Sequence, residues 1–403
     1  MSLVKLSYTE FENEPRHWEI SDASFSNINL IVGKNSAGKS RLVNIVNSFG
    51  RMLTGQFTPH EPCKFAAIVN INGHIFSYQI SLKGGHVISE KLEVDGTNKI
   101  SRKADGSGKI WYEKQGCFIE FKMPLDALAA ASRDEIQHPF LSELYQWASS
   151  VSLYAFGSDF GRSKLMDLSQ ADQLFNNQST PQIFDTNNLV GTYTAAYLKF
   201  GKPFDKSIIA DMKKLGYPLT DVGSDDVRRV STYQFPALGM FITESGLNFK
   251  NSQLGMSQGM FRALALVIHL NQCLFSNQKK LMLIDDIGEG LDFVRSKSII
   301  ELLISKAKEG DLQIIMTSND RFVMNEVPLD YWAVLKRNAG VVRMFNAQNS
   351  EAQFKQFKYI GLNNFEFFAS DFFASDAYVQ EVPVKKTPVK KTPAKKTSVK
   401  EHI

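Results

Sequence analysis

Residues Gly33-Lys34-Asn35-Ser36-Ala37-Gly38-Lys39-Ser40 fit the pattern G-x-x-x-x-G-K-[ST], and that octet constrains the fold more than anything else in the chain. It requires a strand in front and a helix behind. Both are legible. Ile28-Asn29-Leu30-Ile31-Val32 reads as a short buried strand, and from Arg41 the residues Leu42, Val43, Ile45 and Val46 start a helix that runs to about Leu53. Gly33 and Gly38 let the backbone turn sharply and bring its N–H groups against phosphate oxygens. The helix N-terminus adds partial positive charge. The expected binding residues therefore run from Gly33 to Arg41, with Lys39 on the β/γ-phosphates and the Ser40 hydroxyl on Mg²⁺. An ordinary Gly/Ser loop is the bland alternative, which the flanking elements disfavour.

A second piece lies far along the chain. Leu281-Met282-Leu283-Ile284-Asp285-Asp286 is an apolar run that ends in two carboxylates. By itself it could be a capped strand end with solvated acids. After a phosphate loop, it indicates a nucleotide-triphosphate enzyme.

Bulk properties narrow the class. The 403 residues can hold two or three domains or one large composite, and 43% hydrophobic content with thirty Phe supplies a core. No run approaches the ~18 apolar residues of a membrane span. The first ten residues lack the apolar stretch of a signal peptide, so a cytoplasmic location without a membrane partner is expected. Cys63, Cys117 and Cys273 are scattered and odd in number, which reads as buried reduced thiols. The formal charge of +4 sits in the tail: residues 383–403 hold seven Lys and one Glu, leaving −2 on the rest. Composition thus gives no support for a nucleic-acid-binding core.

The expected fold class is α/β, in four parts. Residues 1–123 carry the phosphate loop and, from 64 to 122, antiparallel strands split by Gly84-Gly85, Asp95-Gly96 and Asp105-Gly106. Residues 124–225 read as an inserted helical lobe, with helices over Leu125–Ala131, Pro139–Ala148, Leu189–Phe200 and Ser207–Leu215. Residues 226–381 return to strands at Val227–Phe235 and Leu238–Thr243. The apolar helix Phe261–Leu274, the acidic strand and a strand Gln313–Met316 before Thr317-Ser318-Asn319-Asp320 follow. His269 in that apolar helix reads as core. Residues 382–403 form a tail in which P-[VA]-K-K-T recurs three times. Proline at every fifth position forbids a continuous helix, so disorder is expected there. Weak, sequence-blind contact of these lysines with nucleic acid is the sharper reading. The repeat Phe367-Phe368-Ala369-Ser370-Asp371 and Phe372-Phe373-Ala374-Ser375-Asp376 either closes the core or docks a partner.

In this order the elements resemble the ABC-type ATPase heads of the SMC/RecF class. They are most similar to the short-armed bacterial AAA-type ATPases found beside anti-phage and toxin genes. The resemblance covers about residues 1–350. It implies a P-loop NTPase of ABC/SMC-head type that uses ATP and Mg²⁺. Asp285 matches the carboxylate that positions Mg²⁺, and Asp286 falls where a glutamate orients the attacking water. Glu289 is a rival for that role. Ser257 and Gly259 match the signature loop, which contacts ATP held by a second subunit; Ser257 could equally be a helix N-cap. Gly290-Leu291-Asp292 matches a loop between heads. Asn319 lies near the switch histidine, though Asn319-Asp320 could be a plain turn.

The chain departs from that pattern in four ways. It has Met256-Ser257-Gln258-Gly259-Met260 where Leu-Ser-Gly-Gly-Gln is usual. Asp286 is one methylene shorter than Glu, about 1.5 Å, and misplacement of that order costs ~10²-fold in rate. Asn319 cannot accept a proton as histidine does. The glutamine of the Mg²⁺-sensing loop is not identifiable. The resulting expectation is a slow ATPase that works as a switch: a homo-dimer or higher oligomer closed by ATP, controlling a separate effector protein in phage defence or DNA transactions. A RecF-like DNA-repair ATPase and a nucleotide-binding scaffold without hydrolysis are the alternatives.

Overall fold

A computed structural model describes residues 1–132, 134–176, 186–230 and 236–374. The expected tail, 382–403, lies outside them. A 14-stranded sheet forms the spine. Its first part is parallel and runs Val151–Ala155, Lys280–Asp285, Leu312–Thr317, Ile28–Gly33 and Trp332–Asn338. The hairpin partner Val341–Asn346 then leads to Trp18–Ser24, Ser2–Glu10 and an antiparallel series from Cys63–Ile71 to Cys117–Lys122. A smaller sheet pairs Ala237–Glu244 with Leu219–Asp226, Met166–Asp167 and Asn251–Ser252.

The apolar runs of the central strands follow from burial on both faces. Leu30 and Val32 enter one core and Ile31 the other; Met282 and Ile284 oppose Leu281 and Leu283 in the same way. The helix Lys39–Leu53 covers one face, packing Phe49 against Phe65, Tyr78 and Trp147 at 5.7–5.9 Å between ring centroids. The helix Gln258–Phe275 covers the other and is apolar nearly all round because strands and helices enclose it.

Several expectations change. Leu125–Ala131 is a series of turns, not a helix. The buried Glu90 carboxylate accepts from the Ala129 and Ala130 N–H groups, and Arg102 donates to the carbonyls of Pro124 and Ala127. Side chains of the antiparallel sheet thus take the backbone groups that a helix would have used. Val227–Val230 is a helical turn instead of a strand start; residues 231–235 lie outside the described set. The stretch 124–225 is not uniformly a helical lobe. Pro139–Ser150 packs on the phosphate-loop helix and Val151–Ala155 joins the main sheet, while Leu219–Asp226 belongs to the smaller one. Cys117 is exposed, whereas Cys63 and Cys273 are buried thiols. His269 packs in the core, its ring 4.9 Å from Tyr154. The phenylalanine repeat closes the core through Phe367 and Phe373, with Phe367 4.7 Å from Phe354; Ser375 and Asp376 lie outside the described residues.

Candidate functional site

Strand order decides the site. Leu312–Thr317 lies between the phosphate-loop strand and the acidic strand, parallel to both. All three carboxyl ends therefore open on one side, where ligands bind in open parallel sheets. Gly33 sits against the neighbouring strand: a Cβ on it would lie 2.9 Å from the Leu335 carbonyl. Gly38 adopts φ 104°, a region glycine favours, and faces the ring of Trp18 at 3.1 Å from the position of a Cβ. Ser36 also has positive φ, 64°, and its carbonyl accepts from Arg337 at 3.2 Å. The strand Trp332–Asn338 thereby braces the loop. Lys34 and Asn35 are exposed, and Lys34 stands 3.8 Å from the Asp371 carboxylate. Ala37 is buried and its N–H donates to the Lys34 carbonyl at 3.0 Å. The Arg41 guanidinium pairs with Glu10 and lies 4.6 Å over the Trp18 ring. Its side chain is thus directed at the neighbouring strands.

Lys39 is 6% exposed, and its ammonium donates to the Gly33 carbonyl at 2.8 Å. Among the described residues it forms no ion pair with a carboxylate. Burial lowers its proton affinity, and the nearby Asp286 and Asp285 charges partly restore it. A buried cation held only by carbonyls at a helix N-terminus fits an anionic phosphate.

Thr317 joins the acidic strand to this cradle. Its hydroxyl donates to Asp285 Oδ1 at 2.6 Å and accepts from the Asp286 N–H at 2.9 Å. Asp285 keeps its second oxygen for another ligand, and among the described residues the Ser40 hydroxyl takes no protein partner. That donor set suits Mg²⁺, which uses one or two carboxylates with a hydroxyl and phosphate oxygens. Asp286 has φ 56°. Short Asp tolerates this left-handed region better than most side chains, a local reason for its shortness here. Burial raises its pKa, with Asp285 and Glu289 pushing the same way against Lys39.

The remaining expected residues stand apart. Ser257 caps the helix Gln258–Phe275, accepting from the Met260 N–H at 3.3 Å. Ser257 and Gly259 line a separate cleft of about 460 Å³ with Gly290, Leu291 and Asp292, whose walls include no phosphate-loop residue. Gly259 is needed there because a Cβ would lie 2.6 Å from the Gly290 carbonyl. The exposed Gln258 lines the same cleft. Asn319 is exposed two residues beyond Thr317, and Asp320 caps the helix Arg321–Glu326 by accepting from Phe322 at 2.7 Å.

Sequence reasoning missed three residues besides Thr317. Arg162 donates to the carbonyls of Gln253, Leu254 and Met256, at 2.5–3.1 Å, on the approach to Ser257. Arg262, 3% exposed, donates to those of Gly157, Ser158 and Glu289. Arg337 supports Ser36. Arg262 carried a readable signal, a lone charge in an apolar helix. The loop beside the acidic pair is Phe156-Gly157-Ser158-Asp159, since Ala155 pairs in register with Asp285. It contains no glutamine.

Comparison with known proteins gives a family match over residues 28–325, to the model described as AAA domain, putative AbiEii toxin, Type IV TA system. No curated protein matches. Among solved structures, an SMC head bound to the C-winged helix domain of ScpA is 15% identical with a TM-score of 0.49, covering 85% of this chain and 97% of that one. The Smc head from Pyrococcus furiosus with an extended coiled coil, bound to the C-terminal domain of ScpA, is 13% identical (TM-score 0.48; 88% and 99% covered). The SMC head from Thermotoga maritima is also 13% identical (TM-score 0.43; 86% and 99% covered). No helix of the described residues is long and apolar enough to cross a membrane.

Proposed function

The chain belongs to this AAA-domain family, and from that membership we propose that it is an ATP-binding and hydrolysing switch, whose two heads close around MgATP to control a partner effector. Family membership implies nucleotide binding and suggests ATP hydrolysis. The observation that carries the reading is the buried, carboxylate-free Lys39 ammonium beside Asp285, Asp286 and Thr317. In this reading Gly33 to Arg41 cradle the β- and γ-phosphates with backbone N–H groups, and Lys39 neutralises their charge. Mg²⁺ held by Ser40 and Asp285 would offset the charge that develops on the phosphate oxygens. Asp286 orients the attacking water.

A lone cradle leaves the γ-phosphate open to water. No residue of its own phosphate loop lines the cleft of Ser257 and Gly259, which supports a role towards ATP on a second copy. Two closed heads exclude water and add donors where transition-state charge spreads. The toxin–antitoxin wording of the family description supports a partnered output. The body's near-neutral charge disfavours direct action on DNA.

Light scattering with and without MgATP tests the switch. The parent is expected to associate with ATP, Asp286→Ala to associate more strongly, and Lys39→Ala not at all. One mass for all three proteins in both conditions refutes the proposal.

A further inference from the structure

Gly157 is the point where two acidic side chains converge. A Cβ on it would lie 2.5 Å from Glu289 Oε2 and 3.5 Å from Asp286 Cβ. The Glu289 carboxylate thus fills the space that any larger residue at 157 would take. The arrangement is held from below. Arg262 donates to the carbonyls of Gly157 at 2.8 Å, Ser158 at 3.0 Å and Glu289 at 2.9 Å, fixing the two loops to each other. Ala155, two residues before Gly157, pairs with Asp285, so this convergence lies at the carboxyl end of the acidic strand.

We propose that Glu289 is a second water-orienting carboxylate, acting with Asp286, and that Gly157 and Arg262 position it. The inference rests on the ATPase reading above. Asp286 is short and its backbone is turned by φ 56°; Glu289 brings a second, longer acid beside it at Gly157. The water oxygen bonds to the γ-phosphorus as the bond to the β–γ bridging oxygen breaks. ADP leaves with that electron pair, and the water's proton passes to the carboxylate pair and then to solvent, giving ADP and inorganic phosphate. Two acids around one water divide the task that one longer glutamate performs elsewhere.

The test uses the full chain, single-turnover hydrolysis and binding of a fluorescent ATP analogue. Glu289→Gln is expected to lower the rate roughly 10²-fold while leaving analogue affinity within about twofold. Glu289 is exposed, so the fold is not at stake. Gly157→Ala, whose methyl displaces the carboxylate, is expected to do the same. The losses in Asp286→Asn and Glu289→Gln are expected to combine less than multiplicatively. Parental turnover in Glu289→Gln, or equal loss of turnover and binding, overturns the inference. A parent that binds no nucleotide or releases no phosphate overturns the ATPase reading as well, so the two failures are distinguishable.

Discussion

The Thr317 hydroxyl donates to Asp285 Oδ1 at 2.6 Å and accepts from the Asp286 backbone N–H at 2.9 Å, so one fully buried side chain ties the middle strand to both acids. Thr317→Val keeps the shape and removes the hydroxyl. The Asp286 N–H loses its partner, at a cost of about 1–3 kcal/mol, and Asp285 loses its orienting donor. Such supporting contacts change metal affinity or activity by roughly 10–100-fold. Phosphate release is expected to fall by that factor in Thr317→Val and to be largely retained in Thr317→Ser. Parental rates in Thr317→Val would contradict the role.

The legible parts of this molecule are those governed by local rules. The octet from Gly33 to Ser40 and the run from Leu281 to Asp286 announce themselves through glycine placement and burial on both faces. The hairpins of the antiparallel sheet announce themselves through Asp95-Gly96 and similar turns. The apolar spacing of Leu125–Ala131 reads as helical, but Glu90 and Arg102, which hold it as turns, lie over twenty residues away in sequence. The role of Thr317 depends on strand order, and periodicity carries no information about order. Arg162 and Arg262 act on carbonyls distant in the chain, which no local pattern reveals.

Arg162 supports the loop that leads into Ser257, with three carbonyls on one guanidinium. Lysine cannot reproduce that fork. Both Arg162→Ala and Arg162→Lys are expected to weaken ATP-dependent association at least about tenfold, equivalent to ~1.4 kcal/mol. Analogue affinity of the single head should stay within about twofold, because the phosphate loop is untouched. Sedimentation across protein concentrations separates the two effects. Unchanged association in Arg162→Ala would remove the loop from the interface.

Asp211 is 2% exposed and gathers Lys306 at 3.1 Å, Lys214 at 3.1 Å and the Asn271 amide at 2.9 Å. It joins three helices, Lys202–Lys214, Gln258–Phe275 and Phe293–Glu309. Removing one partner of a buried pair strands the other charge, at about 3–5 kcal/mol. Asp211→Ala is expected to lower unfolding stability by that amount in urea. Lys214→Ala, at the exposed edge of the group, should cost under about 1 kcal/mol. Equal losses in the two variants would show that the pairing with Lys306 adds nothing.

The hairpin at His74 and Asp95 gives a pH signature. The His74 ring and the Asp95 carboxylate are 2.7 Å apart, which raises the His74 pKa. Asp95 is lowered, first by the Ile75 N–H and then by His74. The signs follow. His74's contribution is complete below its unfolded value, about 6.5, and fades as pH rises through the higher folded value. Asp95's contribution is complete above about 3.9 and fades as pH falls through the lower folded value. The pair therefore helps most between about pH 4 and 6.5. Proton NMR should show His74 titrating above its usual value and returning towards it in Asp95→Asn. The same titration in both proteins would mean that this contact does not persist in solution.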